Sequence, residues 1–361
     1  MSTNTPLPAH PPIRARASRL RRTLLRLGLG LLLVGTLLAV GSRLLRMEES
    51  LRALMALDLA YLVPILSLAL LYYLLKALRW HYYLHVAGIR VTLARSMAAY
   101  LAGQWFTFTP AGELMRAYLL GAGSRFALVA PTVVMQAAVD FASLALLATL
   151  VVPLYPSLAP MVLPVTIPLL LTLGMFAAPP LRRLTSTWRL LRWLSGGWGG
   201  QVAGQLAHLL QPWPVAAGLL MGVPTVLAGA LALYVSGLAL GIGHWGVIPA
   251  TGVYAMTQLL GGVSPLPQGL GVAEGSGTLL LGYLGVEPES ALAAMLLSRG
   301  AVLGFSVLLG LVAFLGLRLT VPELAHVPVA GAPDLPAEAG AERVPLASAS
   351  GSLARSSPGS L

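Results

Sequence analysis

The sequence contains no cysteine and one lysine, and charged residues make up only 10% of its 361 positions. The absence of cysteine excludes a disulfide framework, a thiolate nucleophile and Cys-ligated zinc or iron–sulfur sites. Lys76 follows Leu75 rather than a glycine loop, which excludes an ATP site of the Lys-dependent phosphate-loop kind. Acidic residues are scarcer than basic ones, 12 against 23, and between Ala60 and Gly285 there are three: Glu113, Asp140 and Glu274. A carboxylate held in hydrocarbon is costly and marks a site by default.

What is abundant is apolar sequence. Hydrophobic residues make up 57% of the chain and the mean hydropathy is +0.81, outside the range of soluble domains. The composition predicts an all-α polytopic membrane protein. The net charge of +11 comes from arginines grouped beside apolar runs, where they orient helices and meet anionic lipid, so nucleic acid is not expected as a partner.

Six apolar stretches are predicted as full spans: Leu24 to Gly41, Leu59 to Leu75, Ala127 to Leu154, Pro160 to Ala178, Val215 to Leu240 and Ala291 to Leu317. The first follows a basic head, Arg14 to Arg26, and is longer than a signal-peptide core, so it is read as a retained helix. Two further segments, Met97 to Leu120 and Val247 to Leu284, are interrupted at Thr109 to Gly112 and at Ser264 to Gly271. Each is read as a re-entrant hairpin of half-helices, tolerated where it is buried in protein or lines a cavity.

The positive-inside rule then places the head, the segment from Lys76 to Arg95, and Arg182, Arg183, Arg189 and Arg192 in the cytoplasm. Arg116 and Arg125 fall on the same side. Both termini are expected to be cytoplasmic, in a multi-pass protein of the cell membrane. Leu59 to Leu154 reads span, hairpin, span, and so does Val215 to Leu317 with the hairpin entering from the opposite face. That is an inverted repeat, and paired breaks in inverted halves point to a midplane substrate site. The expected organisation is a basic head at 1–22, a membrane domain at 23–320 and a disordered tail at 321–361, rich in Pro, Ala, Ser and Gly.

The site candidates cluster at the breaks. Glu113 and Arg116 share a helix face just after Pro110 and Gly112, near a positive helix end suited to an anion; their bland reading is a local ion pair. Glu274 follows Gly269 and Gly271, which permit close backbone approach; its bland reading is a bond to amides freed at the break. Gln136 and Asp140 lie four apart on one face of a long apolar helix, as an interhelical hydrogen-bonding pair or a polar lining. Arg299 sits deep in the last span and needs a partner, and the repeat suggests an ion pair with Asp140. His81 and His85, flanked by Trp80, Tyr82 and Tyr83, are read as an interfacial belt rather than a metal site. No metal and no cofactor is expected.

Leu75 to Trp80, Pro110 to Leu120, the Asp140 span, Pro267 to Glu274 and the Ser298-Arg299 pair together resemble the lysylphosphatidylglycerol synthase transmembrane family, a flippase-like domain, over about residues 20 to 320. Where the family pattern has a Glu-Arg pair before the span's aspartate, this chain has Gln136-Ala137. The resemblance implies that Glu113, Arg116, Asp140, Glu274 and Arg299 belong to a lipid-translocating domain. It is similar to a stand-alone member, because 321–361 is too short for the soluble aminoacyl-transferring domain, and lipid aminoacylation is not carried over. The function expected is translocation of an anionic or zwitterionic phospholipid or glycolipid, not enzymatic; the alternative is a membrane-embedded enzyme or accessory subunit in glycolipid or envelope synthesis. Partners expected are membrane lipids, envelope-lipid synthesis enzymes and a second copy of the chain.

Overall fold

Apolar runs of helix-spanning length, punctuated by Pro and Gly, give a structure that is helical throughout its described part. The computed structural model describes residues 55, 57–108, 112–121, 126–177, 205–264 and 266–320. Among them are nine helices of ten residues or more: α1 (Leu62–Val86), α2 (Leu93–Gln104), α3 (Gly112–Gly121), α4 (Phe126–Val151), α5 (Ala159–Ala177), α6 (Pro212–Ala239), α7 (Val247–Val263), α8 (Val272–Tyr283) and α9 (Pro288–Thr320). No strand occurs among the described residues. Five helices are long and apolar enough to cross a membrane, and they correspond to five of the six spans predicted. The span at Leu24 to Gly41, the head, the tail, Pro110, Arg125 and the arginines at 182–192 lie outside the described residues.

Both interrupted segments are broken where the sequence places the breaks. In the first, α2 ends in a turn through Trp105 to Phe108, and α3 begins at Gly112. The two helices pack together so closely that a Cβ on Gly103 would lie 3.0 Å from that of Arg116. In the second, α7 and α8 are separated by the short 3₁₀ turn Pro267–Gly269, and Gly269, at φ 64°, comes so near α7 that a Cβ there would lie 2.4 Å from the Gly261 backbone. Only glycine tolerates that φ and that approach together.

The packing has an internal correspondence. α1 packs on α2, α4, α6 and α9, and α6 packs on α7, α9, α1 and α4. The broken pair α2/α3 contacts α9 through α2 and α4 through α3; the broken pair α7/α8 contacts α4 through α7 and α9 through α8. Exchanging α1–α4 with α6–α9 leaves these main pairs unchanged, and α5, packed on α4, stands outside the exchange.

Glycines on α6 allow its helices to close in. A Cβ at Gly218 would lie 1.8 Å from the Tyr83 hydroxyl, at Gly222 2.0 Å from the Ser143 hydroxyl, and at Gly229 2.1 Å from the Tyr254 ring. Small residues at this spacing let helix backbones approach in an apolar medium, where packing rather than water exclusion drives association. α5 continues unbroken through Pro164 and Pro168.

Candidate functional site

The site begins with a ladder between α1 and α4. Thr132, Gln136 and Asp140, four residues apart, share one face of α4. Trp80 donates from its indole nitrogen to the Thr132 hydroxyl at 2.9 Å, and the Gln136 side-chain amide donates to the Lys76 carbonyl at 3.1 Å. Asp140 is paired with two cations of α1: Lys76 Nζ at 3.0 Å from Oδ2, and Arg79 on Oδ1. Gln136 and Asp140 thus both bond across to α1, and Asp140 lines the cavity between the breaks as well.

Two expectations are corrected here. The span predicted to end at Leu75 runs on as α1 to Val86, so Lys76 and Arg79 lie within the helix, Arg79 fully buried. The Asp140–Arg299 pair does not form. α4 and α9 are not one of the main packed pairs, each packing instead against α1 and α6, and each charge has found a nearer partner. Arg299 Nε donates to Glu274 Oε1 at 2.6 Å, and Arg299 Nη2 donates to the Gln268 carbonyl at 2.6 Å.

Glu274 performs two tasks at once. Its Oε1 takes Arg299, while its Oε2 accepts the backbone N–H of Gly271 at 2.6 Å, closing the first turn of α8. An acid at the third helical position satisfies an amide the helix leaves unpaired. Gly271, at φ 83°, makes the left-handed turn into the helix.

Glu113 and Arg116 pair at 3.0 Å within the first turns of α3, with Arg116 buried and Glu113 59% exposed. Arg116, counted with the cytoplasmic arginines from topology, is not solvated: its guanidinium lies 4.9 Å from the Tyr100 ring centre and 5.7 Å from that of Trp80, in cation–π contact with both. Gly112 is required where it stands, since a Cβ there would lie 2.1 Å from the Phe106 carbonyl oxygen.

Between the two breaks lies a cavity of about 570 Å³. Lys76, Glu113, Arg116, Asp140 and Gln268 supply its polar lining; Phe141, Leu144, Val226 and Leu266 supply apolar wall. A smaller space of about 70 Å³ adjoins it, sharing Tyr72, Lys76, Glu113, Tyr254 and Gln268 and reaching Arg299. Four of the sequence candidates, Glu113, Arg116, Asp140 and Gly269, therefore meet at one chamber, with Arg299 at its annex and Glu274 behind Arg299. Gly271 and Gly112 shape the breaks. Such a lining, in which apolar side chains and convergent charges share one cavity, suits an amphiphile.

The family model described as "Lysylphosphatidylglycerol synthase TM region" matches residues 24–310. The chain belongs to that family. Comparison with curated proteins found no significant match. As a member of the lysylphosphatidylglycerol synthase transmembrane family it is a membrane protein of lipid or envelope biosynthesis or transport.

Sequence reasoning missed Lys76, Arg79 and Gln268 as site residues. The signal for the first two was present: Lys76 and Arg79, three apart and so on one helix face, stand at the end of the Leu59 to Leu75 run, and Asp140 needed a partner. Gln268 carried no comparable signal, since its role depends on which break faces which. His81 bonds Ser96 at 2.7 Å and meets His85 edge to face, and no cluster of three metal-ligating residues occurs among the described residues.

Proposed function

We propose that this protein moves a lipid with an anionic or zwitterionic, phosphate-bearing headgroup between membrane leaflets. The observation that carries the reading is the chamber between the two breaks, lined both by the cations Lys76 and Arg116 and by the apolar Phe141, Leu144 and Val226. The headgroup meets the cations, and the acyl chains lie along the apolar wall toward surrounding lipid.

On this reading the two broken segments are re-entrant hairpins and the two halves an inverted repeat that rocks about the chamber. The exchange symmetry of the packed pairs supports it. Lys76 follows Leu75 and no glycine loop, so no Lys-dependent phosphate-loop nucleotide site is invoked, and the proposed movement is downhill or proton-coupled. The protein acts as a translocator rather than an enzyme, in the cell membrane with both termini cytoplasmic, and envelope-lipid synthesis enzymes and a second copy of the chain are its proposed protein partners.

The test is purified full-length protein in liposomes carrying trace acyl-labelled phospholipid, with the outer leaflet quenched. Accelerated exchange that falls at least several-fold in Glu113→Gln supports translocation. Chemical change in the lipid supports the enzymatic alternative, and exchange at the protein-free rate removes translocation.

A further inference from the structure

The ion pairs around the chamber do not balance. Among the described residues that line it, its annex or their direct ion-pair partners, the cations are Lys76, Arg79, Arg116 and Arg299 and the anions are Glu113, Asp140 and Glu274. Arg116 and Arg299 each have a carboxylate of their own, so the one surplus positive charge lies where Lys76 and Arg79 share Asp140. An uncompensated charge in a poorly hydrated, apolar setting is costly, and a bound anion relieves that cost.

The two cations on Asp140 are not equivalent. Arg79 is fully buried and lines neither space; Nη1 faces the α6 backbone, where a Cβ on Gly222 would lie 3.1 Å from it. Its Nε and Nη1 have no hydrogen-bond partner, leaving Asp140 as its charged contact. Lys76 lines both spaces, and its Nζ reaches only Asp140 and, at 3.3 Å, the Tyr72 hydroxyl. An ammonium on a flexible stem exchanges partners more readily than a guanidinium packed on both sides.

We propose that the chamber selects a headgroup of one net negative charge, a phosphodiester without a compensating amine, and that Lys76 turns from Asp140 to take it while Arg79 stays as the fixed partner of Asp140. The proposal rests on the translocation reading only in taking the occupant to be a lipid. A zwitterionic headgroup leaves the surplus charge in place, and a net cationic one adds to it. The apolar wall of Phe141, Leu144 and Val226 favours a lipid over a free anion.

The test measures binding of phosphatidylglycerol, phosphatidylcholine and inorganic phosphate to the purified full-length protein in neutral detergent, by the shift in thermal unfolding. Wild type is expected to prefer phosphatidylglycerol to phosphatidylcholine by about tenfold, or about 1.4 kcal/mol. Lys76→Gln, in which Asp140 keeps Arg79, is expected to bind both about equally, and Lys76→Arg to recover the preference. Equal binding of the two lipids by wild type, or a preference that survives in Lys76→Gln, overturns the proposal. Inorganic phosphate stabilising as well as phosphatidylglycerol overturns the assignment to a lipid. Should Lys76→Gln not fold, the wild-type comparison decides alone. Selective binding without leaflet exchange leaves this inference standing and removes translocation; exchange of both lipids at one rate does the reverse.

Discussion

Gln268 donates from its side-chain amide to both the carbonyl and the hydroxyl of Thr107, at 3.0 and 2.7 Å, and so ties the break between α7 and α8 to the turn that ends α2. The two interrupted segments, 161 residues apart in sequence, are joined tip to tip across the chamber. Gln268 does this from a left-handed backbone conformation, φ 54°, the only non-glycine residue at positive φ among the described residues. A strained residue persists where its surroundings hold it in place, here through the two bonds to Thr107 and the Arg299 bond to its carbonyl.

Gln268→Ala and Gln268→Gly separate the bond from the strain. Alanine keeps the unfavourable φ and loses both hydrogen bonds, with an expected loss of about 1–3 kcal/mol. Glycine loses the same bonds but relaxes the backbone, recovering about 1 kcal/mol of that loss. Thermal unfolding in detergent should therefore rank wild type above glycine and glycine above alanine.

The contact of α6 with α4 predicts a specific rescue. Gly222→Ala places a methyl 2.0 Å from the Ser143 hydroxyl and 2.8 Å from its Cβ, an overpacking expected to cost about 1–3 kcal/mol. Adding Ser143→Ala removes only the nearer clash, whereas Ser143→Gly removes both. The unfolding midpoint of Gly222→Ala should recover further with glycine at 143 than with alanine.

Glu274 and Arg299 should behave as a buried pair. Removing one partner, as in Glu274→Gln, leaves an uncompensated charge and is expected to cost about 3–5 kcal/mol, while the joint change Glu274→Leu with Arg299→Met costs less than either single change. A double-mutant cycle reads the coupling directly. Because Asp140 and Arg299 belong to separate pairs, Asp140→Asn and Arg299→Gln should instead add, within about 0.5 kcal/mol.

Arg116→Lys is not conservative here. It keeps the charge for Glu113 but gives up the guanidinium's cation–π contacts with Tyr100 and Trp80, with an expected loss of about 1–2 kcal/mol. Lysine should accordingly lower the unfolding midpoint, while Glu113→Gln, at an exposed carboxylate, changes it much less than Glu274→Gln does.

Much of the architecture was legible in the chain. Apolar runs and their Pro/Gly interruptions placed five spanning helices and two breaks, because helix length and backbone hydrogen bonding in lipid are local constraints. Close backbone approach, read for Gly269 and Gly271, is found at Gly269, where a Cβ would meet the Gly261 backbone, but not at Gly271, which has nothing within 4 Å and needs glycine for its positive φ instead. Glu113 with Arg116, and Glu274 with the Gly271 amide, were also readable, since each partner lies within one helical turn.

The charge partners across the bundle were not. Asp140 could be matched to Arg299 by symmetry or to Lys76 and Arg79 by a shared α1–α4 face, and nothing in the order of residues chooses between them. The sequence by itself determined a helical membrane protein with two broken segments and a few costly charges held inside it. Only the tertiary structure decided that Lys76 and Arg79 share Asp140, that Gln268 joins the two breaks, and that one positive charge is left over beside the chamber. Those relations depend on which helix faces which, and packing sets that at small residues such as Gly218, Gly222 and Gly229, whose partners lie on other helices.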